Sequence, residues 1–183
     1  MAGTEKTRSA LLRAALELFA ERGFEATTAA AIAQRAGVTE MTFFRYFPTK
    51  DSVLVDDPYD PVIGEAIARQ GADLGPLAAA AAGVLEAWRS LPEPDAAAVR
   101  ERLRIVAQTP SLRAALARNS LATEEAIGDA LRARGTDRVR AAVAASATVA
   151  ALNAALLAWA VDETATLGDA IGIATSTLRG ADA

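Results

Sequence analysis

"IAQRAGVTEMTFFRYFPTK", residues 32–50, is the stretch on which the reading of this chain turns. Two short segments flank a single glycine, Gly37. In the first, Ile32, Ala33 and Ala36 fall at helical spacing, and in the second Phe43 and Phe47 are one turn apart. Glycine takes positive φ at little steric cost, so Gly37 predicts a tight turn. Val38 fills the corner, and Thr39 stands where a hydroxyl can accept from the first free amides of a helix over 40–47. Pro48 has no N–H and stops that helix. Two short helices about a glycine turn form a helix-turn-helix, whose second helix normally enters a DNA major groove.

Outward from that stretch the pattern continues. Residues 5–22 predict a helix with Leu12, Ala15, Leu16 and Phe19 on one stripe. Gly23 ends it, and Phe24 points back at the same core. Thr28 caps the helix over 29–36, and Thr49 caps a fourth helix that opens with Lys50 and Asp51. Lys50 is then a cation at a helix start, where the dipole disfavours it, and needs a further reason to be there. A phosphate supplies one.

The aromatic residues are distributed unevenly. The chain has five Phe, two Tyr and two Trp, and Phe43, Phe44, Tyr46 and Phe47 lie almost side by side. Phe43 and Phe47 predict core facing Ile32, Phe19 and Leu12. Phe44 and Tyr46 point elsewhere, because they leave the helix at other angles. Tyr46 reads as a DNA contact through its hydroxyl. Phe44 reads either as a DNA contact or as packing under the fourth helix.

Beyond Val55 the residues are "DDPYDP", 56–61, a kink or loop. Helices are predicted over 62–70, 76–91, 95–108, 110–134, 137–161 and 167–179, with "LPEPD" at 91–95 as a break. Thr166 and Asp169 have capping-box spacing. β-branched alternation is scarce, so the fold class is all-α. Residues 141–161 are apolar on all sides and long enough to cross a bilayer. Alanine inserts poorly, and only three Leu occur there, so the segment reads as a helix buried on two faces, with no membrane partner.

Composition narrows the function. There is no Cys and no His, which removes thiolate and imidazole chemistry and the common zinc ligand sets. No carboxylate pair sits at helical spacing in an apolar setting, so the chain reads as a non-enzyme with no metal and no cofactor. Charged, amphipathic residues at the N-terminus do not resemble a signal peptide, which fits a cytoplasmic protein. The formal net charge is −4, yet residues 1–50 alone carry seven basic and five acidic groups. A mildly basic end on an acidic remainder places any polyanion partner at the N-terminal end.

The order of features resembles the TetR family of bacterial transcriptional regulators. "LLRAALELFAERGFEATT" at 11–28, "IAQRAGVT" at 32–39 and "MTFFRYFPTKDSVL" at 41–54 carry the resemblance, in register and with both loop lengths matching. The "TFFRYFPTK" variant also resembles actinobacterial regulators of the mycofactocin type. The resemblance implies an N-terminal three-helix DNA-binding domain, residues 1–54, and a C-terminal helical ligand-binding and dimerisation domain, residues 55–183. It implies a homodimer that binds a palindromic double-stranded operator, acts most simply as a repressor, and is released by a small-molecule effector. Carried over by position, Thr28 meets a phosphate. Thr39, Glu40, Met41 and Thr42 face base edges at the start of the recognition helix, where specificity is shared with Arg45. Phe44 holds the family's tyrosine position without its hydroxyl, Tyr46 its histidine or tyrosine position, and Lys50 its helix-4 phosphate contact. Glu40 either accepts from a cytosine amino group or excludes other sequences.

In the C-terminal part the candidate ligand residues are Trp88, Arg104, Asn119, Thr123, Asn153 and Trp159. Asn153, in mid-helix, must find partners if buried: structural ones, a ligand or a second subunit. Val149, Leu152, Leu156, Gly168, Ile171 and Gly172 are the candidate dimer residues, on the two last helices. The apolar composition suggests a mostly hydrophobic effector. The competing reading is a helical carrier or enzyme domain without DNA binding, which a net-positive end with capped helix starts does not favour.

Overall fold

The structure, a computed structural model, describes residues 2–55, 60–91, 95–162 and 164–180. Among these residues every regular element is helical: α1 (Ala2–Arg22), α2 (Ala29–Arg35), α3 (Glu40–Tyr46), α4 (Ser52–Val55), α5 (Asp60–Ala68), α6 (Pro76–Ser90), α7 (Ala96–Gln108), α8 (Pro110–Ala133), α9 (Arg138–Val161) and α10 (Leu167–Leu178). The all-α expectation holds. The two proline breaks fall largely on residues 56–59 and 92–94, outside the described residues.

The helix starts follow local chemistry. Thr28 accepts from the Ala31 amide, Thr39 from the Thr42 amide, and Asp137 from the Val139 and Arg140 amides. Thr166 and Asp169 close a reciprocal capping box at the start of α10. Each bond satisfies an amide that the helix cannot reach. Gly37 has φ +72°, so the turn between α2 and α3 uses the left-handed region as expected.

The chain forms two compact units. The first holds residues 1–56 and 101–116, and the second 57–100 and 117–183. The division therefore falls within α7 and α8, and segment 101–116 belongs with the N-terminal helices. A boundary drawn at 54/55 does not foresee that return. Only packing joins residues so far apart in sequence, as in the Ser111 hydroxyl bond to the Glu25 carboxylate at 2.7 Å.

In the first unit, Leu11, Ala14, Ala15, Leu18 and Phe19 of α1 are buried with Ile32, Phe43 and Phe47. This corrects the expected stripe by one position: Leu12 and Leu16 are only half-buried, while Leu11 and Leu18 take the centre. Both sets have helical spacing, and contact with α2 and α4 selects between them. In the second unit α6, α9 and α10 pack on one another, and α5 packs on α6. Its core is rich in alanine, with Ala79, Ala80, Ala81, Ala144, Ala160 and Ala174 buried. Gly83 makes a close approach possible: a Cβ there would lie 2.7 Å from the Cα of Ile67.

Among the described residues α9 is the one helix long and apolar enough to span a membrane, yet only 28% of its most apolar window is buried inside the chain. The expected burial on two faces is thus met on one. Ala141, Ala144, Ala145, Thr148 and Val149 face inward, while Val139, Val143 and Val161 are exposed.

Candidate nucleic-acid interface

The interface candidate is the outer side of α3. Phe43 and Phe47 are fully buried and anchor α3 on α1 and α2, as their spacing predicted. Their rings are 5.8 Å apart, tilted at 42°. The opposite side carries Glu40, Met41, Phe44 and Arg45, all exposed, with Met41 at 83% and Phe44 at 46%. Met41, Phe44 and Arg45 follow i, i+3, i+4 spacing and form one stripe. Phe44 meets the edge of Phe43 at 5.3 Å and leaves much of its ring to solvent. Thr42 is half-buried, and its hydroxyl lies 2.9 Å from that of the cap Thr39, so the pair is pre-positioned at the start of the helix.

The cations near this face are placed on rings. Arg45 sits 5.3 Å from the centroid of Tyr46, Arg8 lies 4.9 Å over Phe47, and Lys50 lies 4.0 Å over Phe24. Such contacts are worth roughly 0.5–1 kcal/mol at exposed sites. Lys50 also donates to the Phe24 carbonyl at 2.7 Å. That bond supplies the reason Lys50 lacked in the sequence, and it ties α4 to the turn after α1. An ammonium has three donors, so two remain for a phosphate. Arg8 is a member of this group that the sequence did not reveal, because its ring partner stands 39 positions away.

Three further bonds fix the orientation of α2. Arg35 forms a fork on Glu21 at 2.9 and 3.0 Å and reaches Glu17 at 3.2 Å. The Arg35 hydrogen bond holds the Glu21 carboxyl below its ordinary value, and the Glu21 bond raises Arg35 in turn. Arg35 is thus committed to bracing α2 on α1. The Thr27–Thr28 pair divides its work. Thr28 caps α2, while buried Thr27 donates its hydroxyl to the Gly23 carbonyl at 2.8 Å.

In the second unit the sequence candidates scatter. Trp88 and Trp159 line one cavity of about 540 Å³. Asn153 donates to the Ser120 hydroxyl at 2.9 Å, joining α9 to α8 as a structural bond. Thr123 is buried and Asn119 half-buried on α8. Arg104 belongs to the first unit, where it pairs with Glu101 at 3.7 Å, and so does not share a compact unit with the other five. Of the dimer candidates, Val149 and Ile171 are buried largely against their own chain. Leu152, Leu156, Gly168 and Gly172 are half-buried. The large apolar side chains left open on α9 and α10 are instead Val139, Val143, Val161 and Ile173, each more than half exposed. Helical periodicity fixes which residues share a face and leaves open which face the chain itself covers.

Comparison with known proteins agrees with this architecture. Residues 11–56 match the family model for bacterial regulatory proteins of the tetR family, and residues 74–181 match the MftR C-terminal domain. TcmR, an HTH-type transcriptional regulator of Streptomyces glaucescens, is 35% identical over 136 residues, covering 70% of this chain and 60% of TcmR. The chain thus spans less than two thirds of that relative's length. MftR of Mycobacterium tuberculosis, named for mycofactocin biosynthesis, is 27% identical over 168 residues, covering 87% of this chain and 83% of MftR. Among solved structures, NalD, the secondary repressor of the MexAB-OprM multidrug efflux pump in Pseudomonas aeruginosa, superposes with a TM-score of 0.59 and 29% identity over 97% of each chain. The chain belongs to the TetR family, a family of regulators rather than enzymes, and carries a C-terminal domain of the MftR type.

Proposed function

We propose that this TetR-family chain is a cytoplasmic, ligand-responsive transcriptional repressor that binds a palindromic operator as a homodimer. Residues 1–54 form its DNA-binding part, and the effector is a small, mostly hydrophobic molecule taken up by the C-terminal part. The observation that carries the reading is the two-sided α3. One side is locked into the core by Phe43 and Phe47, and the other offers Glu40, Met41, Phe44 and Arg45 to a partner. A rigid short helix with such a stripe suits a major groove, which admits an α-helix and displays a distinct pattern for each base pair. Thr28, Thr39, Tyr46 and Lys50 flank the stripe and suit phosphates, which position the protein without reading sequence. The uncovered apolar face of α9 and α10 suits a second copy of the chain, which would set two recognition helices about 34–36 Å apart. Shift of the dimer between two spacings would then couple effector to operator.

The test is a mobility-shift titration on DNA upstream of the protein's own gene, at two salt concentrations. Binding should weaken steeply with salt, since phosphate contacts release counterions. Tyr46→Phe should weaken binding about equally across operator variants, whereas Thr42→Ala should change which variant is preferred. A salt-insensitive result, or none on any fragment, would remove the reading. An unchanged preference in Thr42→Ala would remove the assigned orientation of α3.

A further inference from the structure

Both tryptophans of the chain line the same cavity, although they are 71 positions apart. It lies within the second unit, where the end of α6, the start of α7, the end of α9 and the start of α10 meet, as a half-open cleft of about 540 Å³. Trp88, Leu91, Arg100, Trp159, Leu167 and Gly168 form much of its lining. That volume is within the roughly 300–1,000 Å³ of small-molecule sites.

Its chemistry is specific. Trp159 is buried, and its indole N–H is already used on the Ala165 carbonyl at 3.0 Å. Arg100 lies over the Trp159 ring at 4.3 Å and donates to the carbonyls of Trp159, Asp162 and Ala165. Among the described residues its hydrogen-bond partners are carbonyls, and its charge is offset in part by the Asp162 carboxylate, which the Thr164 hydroxyl and amide, and then Arg100, hold below its ordinary value. Trp88 is half-buried, and its indole nitrogen stands on the Gly168 side, 3.7 Å from where a Cβ of that residue would be. The cavity thus offers the Trp88 ring as a flat apolar wall, its indole N–H as a donor, and a guanidinium held over the Trp159 ring. Aromatic rings prefer offset or edge contacts with other rings, and both polar groups are donors.

We propose that this cavity binds a planar aromatic compound bearing a carboxylate or an equivalent anionic oxygen. The ring system lies against the Trp88 indole, and the oxygen is directed to Trp88 Nε1 and to Arg100, which rests on the Trp159 ring. This deepens the ligand-responsive reading and rests on it for the purpose of the site, though not for its chemistry. Arg100 has a double role here. It latches the segment between α9 and α10 and supplies the positive charge.

The test uses the full chain with 2-naphthoate as probe and naphthalene as the uncharged control. Calorimetry gives affinity, and the two indole N–H resonances report location. Saturable 2-naphthoate binding that moves the Trp88 resonance, and affinity at least tenfold above naphthalene, is the expected result. Gly168→Leu should weaken binding at least tenfold, because a Cβ at Gly168 meets nothing closer than 3.7 Å and the longer branch enters the cavity. If Gly168→Leu does not fold, Trp88→Phe decides: it keeps an aromatic ring, removes the donor, and should weaken 2-naphthoate roughly tenfold while leaving naphthalene little changed. No saturable binding, unmoved indole resonances, or undiminished affinity in the deciding variant would each overturn the assignment. Absence of probe binding with an intact operator shift defeats this proposal alone. Probe binding without any operator shift defeats the regulator reading alone.

Discussion

Gly37 and Gly83 show how differently the two units are built. Gly37 turns the chain between α2 and α3 with φ +72°, and a Cβ there would meet nothing within 4 Å. It is required for its backbone angle. Gly83 sits inside α6, where glycine weakens a helix, and a Cβ there would come within 2.7 Å of the Ile67 backbone. It is required for space. The first unit sets its shape with local turn chemistry and then fills it with large rings. The second brings helices together through small residues, and its shape follows from how near they come.

Variants at these positions and at the aromatic anchor can break the contrast. The largest effect is expected for Phe43→Ala, fully buried in the first unit. It should cost about 3–5 kcal/mol in denaturant unfolding, and operator binding should fall with it. A loss under 1 kcal/mol would mean that α3 is not anchored by its rings. Next is Gly83→Ala, for which crowding of α5 on α6 should cost about 1–3 kcal/mol, read as a lowered midpoint of thermal unfolding. If Gly83→Ala stabilises through helix propensity, the close approach of α5 and α6 is wrong. Gly37→Ala should cost about 1–2 kcal/mol through the left-handed backbone alone. Gly37→Asn, which tolerates that region, should recover part of it.

The smallest effect concerns acid. The Thr166 hydroxyl and amide hold the Asp169 carboxyl below its ordinary value of 3.8. A depressed carboxyl adds stability above its unfolded value and loses it as pH falls through the lower, folded one. Stability of the wild type should therefore drop more than that of Asp169→Asn as pH falls below about 4. Unfolding curves at pH 7 and pH 3 compare the two, and parallel losses would remove the capping-box carboxylate as the cause.

Much of the first unit was legible because its signals are local. Thr28, Thr39, Gly37 and Pro48 act on neighbours within four residues. The division of Phe43 and Phe47 from Phe44 follows from helical angle alone. The bond of Lys50 to Phe24 leaves no local sign in the sequence, because Phe24 lies in the turn after α1, 26 positions away. In the second unit the helix spans were legible as well, but Val149 and Ile171 bear no sign in the sequence that their own chain largely covers them. A helix that is apolar all round carries no mark of which face its neighbours take.

The sequence by itself determined the ten helical spans' approximate order, the capped helix starts, the turn at Gly37 and the family. Each is governed by contacts within a few residues or by a pattern over one segment. Tertiary structure alone decided that Leu11 rather than Leu12 lies at the centre of α1, that segment 101–116 joins the first unit, and that both tryptophans share one cavity. These depend on which surfaces meet, and close packing selects one arrangement among several that the same periodicity allows.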